Sequence, residues 1–306
     1  MTDLAGHVTD YLTLRRALGF KLKREGEVLP QFVAYLDAAS AKTITVELAV
    51  AWAELPEGVL PISWAHRLGA VRGFAKYLHT IDQYAEVPPR DVFGARQQRH
   101  VPYLYSESDI HGLLNAARHL QPRLRAVTHE ALFGLLAVSG MRVGEAIGLE
   151  RSDIDLTEAL ITIREAKFGR SRLVPLHPTA TAALRSYAIC RDRLCPKPRS
   201  RAFFISSVGT RLGLDSVDST FRRLATATGL RSETVWPRLH DLRHTFAVRT
   251  LIDWERSGID VGTRMALLST YLGHVNPAST YWYLSAAPEL MELAAARLDG
   301  QYGSQR

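Results

Sequence analysis

The chain has 306 residues, 46% of them hydrophobic, and a formal net charge of +7 at pH 7. This length and composition allow one large buried core or two ordinary ones, and the positive charge favours an anionic partner such as nucleic acid. The sequence has no apolar run long enough to cross a bilayer and no basic segment leading into one. We therefore expect a soluble, cytoplasmic protein without a membrane partner.

The first part of the chain has the apolar spacing of amphipathic helices in four segments, at residues 4–18, 25–39, 45–55 and 63–80. Trp64 belongs to the apolar stripe of the last segment, and we expect it in the core. We predict a helical domain over residues 1–86. A basic cluster near the first two segments either contacts a phosphate backbone or forms solvated helix ends; it comprises Arg15, Arg16, Lys21, Lys23 and Arg24.

Residues 87–104 contain three prolines and several arginines with little periodicity, which predicts a linker between two domains. Ser106 and Asp109 then have the spacing of a helix N-cap followed by an acidic residue, so we expect the second domain to begin here and to span residues 105–287. Most of the positive excess of the chain lies on this side of the linker.

Two short β-favouring runs, at residues 159–164 and 172–176, flank Lys167 and predict a β-hairpin with Lys167 at its tip. Helix-like segments dominate the rest of the second domain. The predicted fold class is therefore mainly α, with a small β-sheet or hairpin in the C-terminal domain. Cys190 and Cys195 have the spacing of neither a redox pair nor a common zinc knuckle, so we expect reduced thiols. A zinc site shared with His240 and His244 is the alternative.

A cationic set of residues is distributed along the second half of the chain: Arg142, His240, Arg243, His274 and Tyr283. Arginine stays charged and can donate two hydrogen bonds to one phosphate, so Arg142 and Arg243 are candidates for a phosphate clamp. A tyrosine hydroxyl beside such a clamp suits phosphoryl transfer through a covalent phosphotyrosine. The alternative is ordinary ion pairing of the two arginines with Glu145 or Asp241.

The spacing of His240 and Arg243 is compatible with a shared phosphate site. They are three residues apart in a segment whose Leu239, Leu242 and Phe246 form an apolar stripe. We therefore expect both polar groups to project together from the opposite side, where they could face one phosphate.

In their order, these motifs resemble the tyrosine recombinases, a family that contains phage integrases, chromosome-dimer resolvases and transposon integrases. The matching motifs are Ser-Gly-Met-Arg-Val-Gly-Glu around Arg142, the hairpin with Lys167, Leu-His-Asp-Leu-Arg-His at 239–244, Leu-Gly-His at 272–274, and Tyr283. The resemblance covers most of residues 106–298. It implies a two-domain DNA clamp with the catalytic fold of the family in residues 105–287, and it matches residues 1–86 to the core-binding domain in type only.

The resemblance also implies roles. Tyr283 would be the nucleophile that forms a 3′-phosphotyrosyl bond, His240 would assist removal of its proton, and His274 would hydrogen-bond a nonbridging oxygen. Lys167 would protonate the leaving 5′-oxygen, although phosphate binding by the whole hairpin, with Arg170 and Arg172, is the alternative. His244 has no implied role, and we expect it to be structural.

The segment around Tyr283 contains a second tyrosine, Tyr281. On a helix the two side chains would point about 200° apart, so only one can enter the site. Tyr283 lies nine positions after His274, as in the family, and Tyr281 is the fallback nucleophile. Residues 288–306 begin with an amphipathic segment at 288–298, which either docks on its own domain or, by resemblance, on a neighbouring protomer.

The resemblance implies double-stranded DNA recombination sites as partners, a homo-tetramer on DNA, and companion recombinases. It also implies that the protein belongs to a bacterial mobile element and is associated with the nucleoid when it is on DNA. The conserved energy of a phosphotyrosine makes a metal or other cofactor unnecessary. Three alternatives use the same residues differently: a topoisomerase that nicks and reseals one duplex, a DNA-binding accessory protein that does not cut, and a metallohydrolase around His240, His244 and His274.

Overall fold

The computed structural model describes residues 3–94, 101–166, 170–274, 276, 278–286 and 292. The chain divides into two compact units, residues 1–100 and 101–306. The predicted class, mainly α with a small β-sheet in the second unit, is confirmed.

The first unit contains four helices at the positions that the apolar spacing predicted. They are α1 (Leu4–Ala17), α2 (Lys23–Ala38), α3 (Val46–Glu54) and α4 (Pro61–Leu78). Local signals set their starts, since Thr45 caps α3 through its side chain and Pro61 occupies the first turn of α4. The buried stripes of the four helices meet in one core.

The expectation that Trp64 lies in this core is wrong. Trp64 is half-buried near the start of α4, where its indole N–H donates to the carbonyl of Pro56 at 3.0 Å and its ring contacts Phe93. The core position belongs to Trp52, which is 2% exposed and packs on Phe32. An indole with a polar N–H is stable at a core edge, where that group finds a partner.

The described parts of the predicted linker are packed segments. Val87 and Phe93 contact the core of the first unit, and the Arg72 guanidinium donates to the carbonyls of Pro88 and Pro89. At the other end, Tyr105 is buried in the second unit. Residues 95–100 between them lie outside the described residues.

The second unit contains eight described helices. They are α5 (Glu107–Arg118), α6 (Arg123–Ser139), α7 (Val143–Gly148), α8 (Pro178–Leu194), α9 (Leu214–Ala227), α10 (Asp241–Arg256), α11 (Val261–Leu272) and α12 (Ala278–Ala286). The predicted start of α5 is present as a complete capping box, in which Ser106 and Asp109 exchange side-chain and backbone hydrogen bonds.

The sheet has three antiparallel strands in the order β1 (Ile154–Asp155), β2 (Leu160–Ala166) and β3 (Arg170–Pro175). Strands β2 and β3 are the predicted hairpin, with Ile161 opposite Val174 and Ile163 opposite Arg172. Strand β1 has two residues, too few for a period-2 pattern to show in the sequence. The predicted tip, Lys167, lies outside the described residues.

Two packed regions of the second unit position the candidate site. The main core joins α5 to α9 with the sheet, while a smaller apolar cluster joins α10, α11 and α12. Helix α10 also contacts α6. The ends of α6 and α11 and the body of α10 therefore lie close to one another, and the candidate residues are located there.

Candidate active site

Two helices that end in glycine provide the carbonyl groups around which the site is built. Gly140 follows α6 with φ +59°, and Gly273 follows α11 with φ +67°, a left-handed conformation that glycine adopts without strain. The Gly140 carbonyl accepts a hydrogen bond from Arg243 Nη1 at 2.7 Å, and the Gly273 carbonyl accepts one from Arg142 Nη2 at 3.0 Å. Arg243 Nη2 also donates to the Leu272 carbonyl at 2.6 Å. The two guanidinium groups thus bind consecutive carbonyls of one turn and lie side by side.

Arg142 precedes α7 and is also held by Glu145. The Glu145 carboxylate accepts from Arg142 Nη1 at 2.8 Å and from the Arg142 backbone N–H at 3.0 Å. The ion pair that sequence reasoning weighed as an alternative to a phosphate clamp is therefore present. It leaves the Arg142 side chain 31% exposed, so the pairing and access to a ligand are compatible.

Glu145 is shared with a second arginine, Arg172 of β3, which sequence reasoning did not connect to it. Arg172 Nη1 and Nη2 donate to the two carboxylate oxygens at 3.1 and 2.7 Å, and Arg172 Nε donates to the Tyr271 carbonyl at 2.9 Å. Burial alone would raise the pKa of Glu145, but Arg172 and Arg142 outweigh it and hold the pKa at about 2. The capping-box spacing of Arg142 and Glu145 is visible in the sequence. No local signal indicates that Glu145 also pairs with Arg172, which is 27 residues away.

Arg172, which the sequence suggested as a DNA contact, has its partners within the protein in this structure. Its side chain is 12% exposed, and all three guanidinium nitrogens are engaged within the protein. The side chain of Arg170, the other hairpin arginine, and the whole of Lys167 lie outside what the structure describes.

His240 and Arg243, expected to project together, lie near enough that the Arg243 charge adds to desolvation in lowering the pKa of His240, but the two side chains differ in burial. Helix α10 begins at Asp241, so His240 is the exposed residue before its first turn, whereas Arg243 is 2% exposed. Both sides of this helix are covered, because α10 packs on α6 as well as on α11 and α12. Asp241 pairs with Arg238 at 2.9 Å rather than with Arg243. Burial and the neighbouring Arg142 lower the pKa of Arg243 to about 10, so it remains cationic at neutral pH.

The structure distinguishes the two tyrosines of α12. Tyr283 is 2% exposed and its ring stacks on His274, whereas Tyr281 is 54% exposed. Burial raises the pKa of Tyr283, and the charges of Arg243 and Arg142 partly offset this rise. In the DNA-free protein the Tyr283 hydroxyl is therefore protonated at neutral pH.

Two histidines contact Tyr283, and a third histidine contacts one of these two. His274 Nδ1 lies 2.7 Å from the Thr280 hydroxyl, and its ring stacks on Tyr283 with 6.0 Å between centroids. His244 contacts both His240 and Tyr283 edge to face, at 4.9 and 5.3 Å. Burial is the main cause that lowers the pKa of His244 and of His274 to about 4, with nearby cations adding to it. The pKa of His240 is also lowered, by desolvation on the side of its ring that faces the protein and by the Arg243 charge. His244, which we expected to be structural, contacts both His240 and Tyr283. Its position in the sequence motif does not indicate these contacts.

The remaining candidates lie elsewhere. Lys21, Lys23 and Arg24 are exposed in the first unit. Cys190 and Cys195 are free thiols, and the described residues contain no group of His, Cys, Asp or Glu side chains that could hold a metal ion. Among the described helices, none has the length and apolar character that crossing a bilayer requires.

Comparison with known proteins agrees with the resemblance seen in the sequence. The phage integrase family model matches residues 105–289. A protein of Sinorhizobium fredii named as an integrase/recombinase, y4rB, is 44% identical over 99% of both chains. The tyrosine recombinase XerC of Chlamydia muridarum is 31% identical over 73% of this chain and 67% of its own.

A solved structure of the Tn1549 transposon integrase, in complex with circular intermediate DNA, has the same fold. It superposes with a TM-score of 0.65 at 16% identity and covers 95% of this chain and 99% of that one. None of these comparisons supports a topoisomerase. The chain belongs to the phage integrase family and is a tyrosine-type site-specific recombinase.

Proposed function

We propose that this recombinase cuts and rejoins DNA through a 3′-phosphotyrosyl bond formed by Tyr283. The observation that carries the proposal is the position of the buried Tyr283, which packs on His274 directly after the turn whose Leu272 and Gly273 carbonyls hold Arg243 and Arg142. A nucleophile and two fixed cations are thereby gathered where one phosphodiester could bind.

Arg243 and Arg142 form the proposed phosphate clamp. A guanidinium has five N–H donors, and the Gly140 and Leu272 carbonyls take two of those of Arg243. Donors therefore remain for the tyrosine and for a nonbridging oxygen. Negative charge gathers on these oxygens in the transition state, so cations already fixed by protein carbonyls stabilise it without reorganisation.

Proton transfer requires an acceptor because burial raises the pKa of Tyr283. His240, whose lowered pKa keeps its imidazole neutral, is the proposed acceptor. If the Thr280 hydroxyl donates to Nδ1 of neutral His274, the proton of His274 is on Nε2, which can donate to a nonbridging oxygen. Lys167 is proposed to protonate the leaving 5′-oxygen.

The reaction would conserve bond energy. Attack by Tyr283 on phosphorus breaks the bond to the 5′-oxygen, and a 5′-hydroxyl from a partner strand later displaces the tyrosine to restore a phosphodiester. One bond forms as one breaks in each step, so the chemistry consumes no ATP and does not depend on a metal.

Double-stranded recombination sites of a bacterial mobile element are the proposed partners, bound on the nucleoid. The support is the DNA held by the Tn1549 integrase and the exposed cations Lys21, Lys23 and Arg24 in the first unit, which would act as a core-binding domain. We further propose a homo-tetramer on two sites, assembled through residues 288–298, with companion recombinases as additional partners.

The test is covalent trapping on a nicked suicide duplex that contains the native element junction, without added metal. The wild type should give a protein–DNA adduct on a denaturing gel. Tyr283→Phe should bind the duplex and give none, while Tyr281→Phe, the matched control on the same helix, should give the wild-type amount. Binding without any adduct from the wild type would refute the proposal in favour of an accessory DNA-binding protein.

A further inference from the structure

Arg172 lies outside the set of residues to which the proposed chemistry assigns a role, yet it binds Glu145, which holds Arg142, and the turn whose Gly273 carbonyl also holds Arg142. It extends from β3, in the sheet, to the carboxylate of Glu145 in α7 and to the carbonyl of Tyr271 in the last turn of α11. A single side chain therefore joins the sheet, α7 and α11 at the candidate site.

The first connection orients Arg142 through Glu145. Each carboxylate oxygen of Glu145 accepts one bond from Arg172, leaving lone pairs for Arg142 Nη1 and its backbone N–H. A planar fork on a planar carboxylate fixes the rotation of that carboxylate. Because the Arg172 and Glu145 side chains are only 12% and 10% exposed, water competes little for these bonds.

The second connection fixes the turn that holds Arg142 from its other side. The Tyr271 carbonyl, bound by Arg172 Nε, precedes the Leu272 and Gly273 carbonyls that bind Arg243 and Arg142. A Cβ at position 273 would lie 2.8 Å from Arg172 Nη1, so the guanidinium is in close contact with this turn. His274 is the next residue.

We infer that Arg172 is a positioning residue, which acts through Glu145 and the 271–273 turn to hold the Arg142 guanidinium in place. The inference rests on the proposed function for its kinetic consequence only. Direct contact with a phosphate is disfavoured, because the Arg172 side chain is only 12% exposed, all three of its nitrogens already donate within the protein, and moving it would leave Glu145 buried with one partner fewer.

The test compares Arg172→Ala, Arg172→Lys and the matched control Arg164→Ala. Arg164 lies on neighbouring β2 and pairs with Asp153, but its side chain is 62% exposed. At saturating suicide duplex we expect adduct formation to slow at least about tenfold in Arg172→Ala, less in Arg172→Lys, and by no more than about twofold in Arg164→Ala. Circular dichroism checks that each variant is folded. If Arg172→Ala is unfolded, the rate of adduct formation by Arg172→Lys is used for the comparison instead.

Two further readouts separate positioning from other roles. The salt dependence of duplex binding should match the wild type, whereas losing a phosphate contact would reduce the slope by about one. In a double-mutant cycle, Glu145→Gln with Arg172→Ala should cost much less than the sum of the single losses, because both act on Arg142. Additive losses, a reduced salt slope, or wild-type cleavage by folded Arg172→Ala would overturn the inference.

A structural readout does not depend on the proposed function. In a crystal structure of DNA-free Arg172→Ala or Arg172→Lys, the 3.0 Å bond between Arg142 Nη2 and the Gly273 carbonyl should be lost or remade elsewhere. An unmoved Arg142 would overturn the inference even if the wild type proved unable to cut DNA. Failure of the wild type to form an adduct, with Arg142 displaced in the variant, would refute the proposed function alone.

Discussion

Replacing Glu145 by Gln should destabilise the second unit far more than removing an exposed carboxylate. The surroundings lower the pKa of Glu145 from 4.5 to about 2, which means that they favour the carboxylate over the neutral acid by about 3 kcal/mol. Gln removes the charge and turns an amide N–H₂ toward a guanidinium. We therefore expect the free energy of unfolding to fall by about 3 kcal/mol at pH 7.

The pH dependence of this cost has a definite sign. Because the folded-state pKa of Glu145 is depressed, its stabilisation is complete above the unfolded value near 4.5 and is lost as the pH falls toward 2. At pH 3 the difference in unfolding free energy between wild type and Glu145→Gln should have fallen to about 1 kcal/mol, less than half its value at pH 7.

The assay is equilibrium urea unfolding at pH 7 and pH 3, followed by circular dichroism, with Glu130→Gln as the matched control. Glu130 pairs with Arg118 at 2.7 Å, but the two side chains are 31% and 58% exposed, so its replacement should cost less than about 1 kcal/mol. Equal costs for the two variants, or a Glu145→Gln cost that does not shrink at pH 3, would show that the buried charges do not stabilise this carboxylate.

Three further predictions follow from the geometry. Burial lowers the pKa of His244 from 6.5 to about 4, so the wild type should lose stability as the pH falls through this window, and His244→Phe, which keeps a ring in place, should lose less in urea unfolding. Gly273→Ala should lower the free energy of unfolding more than the matched control Gly229→Ala. Both glycines are left-handed, but no atom lies within 4 Å of a Cβ at position 229, so only backbone strain of about 1 kcal/mol is expected there. Equal urea midpoints for the two variants would contradict the close contact between position 273 and Arg172. Alanine at three exposed positions should lower the salt slope of duplex binding by about three, and an unchanged slope would remove them from the DNA interface: Lys21, Lys23 and Arg24.

Much of the fold could be predicted because its signals are local. Helices α1 to α4 follow from apolar spacing, and the start of α5 from the spacing of Ser106 and Asp109. The hairpin of β2 and β3 follows from two β-favouring runs. Each of these signals depends on residues a few positions apart, so a single sequence contains them.

The features that sequence reasoning missed depend on packing between distant segments. The apolar stripe of α10 placed Arg243 on the opposite side of the helix but did not show that the residue would be buried, with its guanidinium donating to the Gly140 carbonyl at the end of α6. Likewise, the sequence shows Arg172 only as a cation in a hairpin. Its partners, Glu145 and the Tyr271 carbonyl at the end of α11, are distant in sequence. Trp64 and Trp52 are similar in sequence pattern, and only the packing of α3 and α4 decides which one is buried.

For the two tyrosines of α12, too, local geometry could be predicted but packing could not. Helical geometry alone predicted that only one of Tyr281 and Tyr283 could face the site. Which one does so depends on how α12 packs on α10 and α11, and in this structure the buried residue is Tyr283. Its assignment as the nucleophile is a prediction about chemistry that the burial supports.

Locating the covalent bond between protein and DNA would identify the nucleophile. Wild-type adduct trapped on the suicide duplex would be digested with nuclease and trypsin, and the nucleotide-bearing peptide sequenced by tandem mass spectrometry. Trypsin leaves both tyrosines of α12 in one peptide, so fragment ions must assign the added mass to one of them. We expect the nucleotide on Tyr283. A nucleotide on Tyr281, or on neither tyrosine, would contradict the assignment of Tyr283 as the nucleophile.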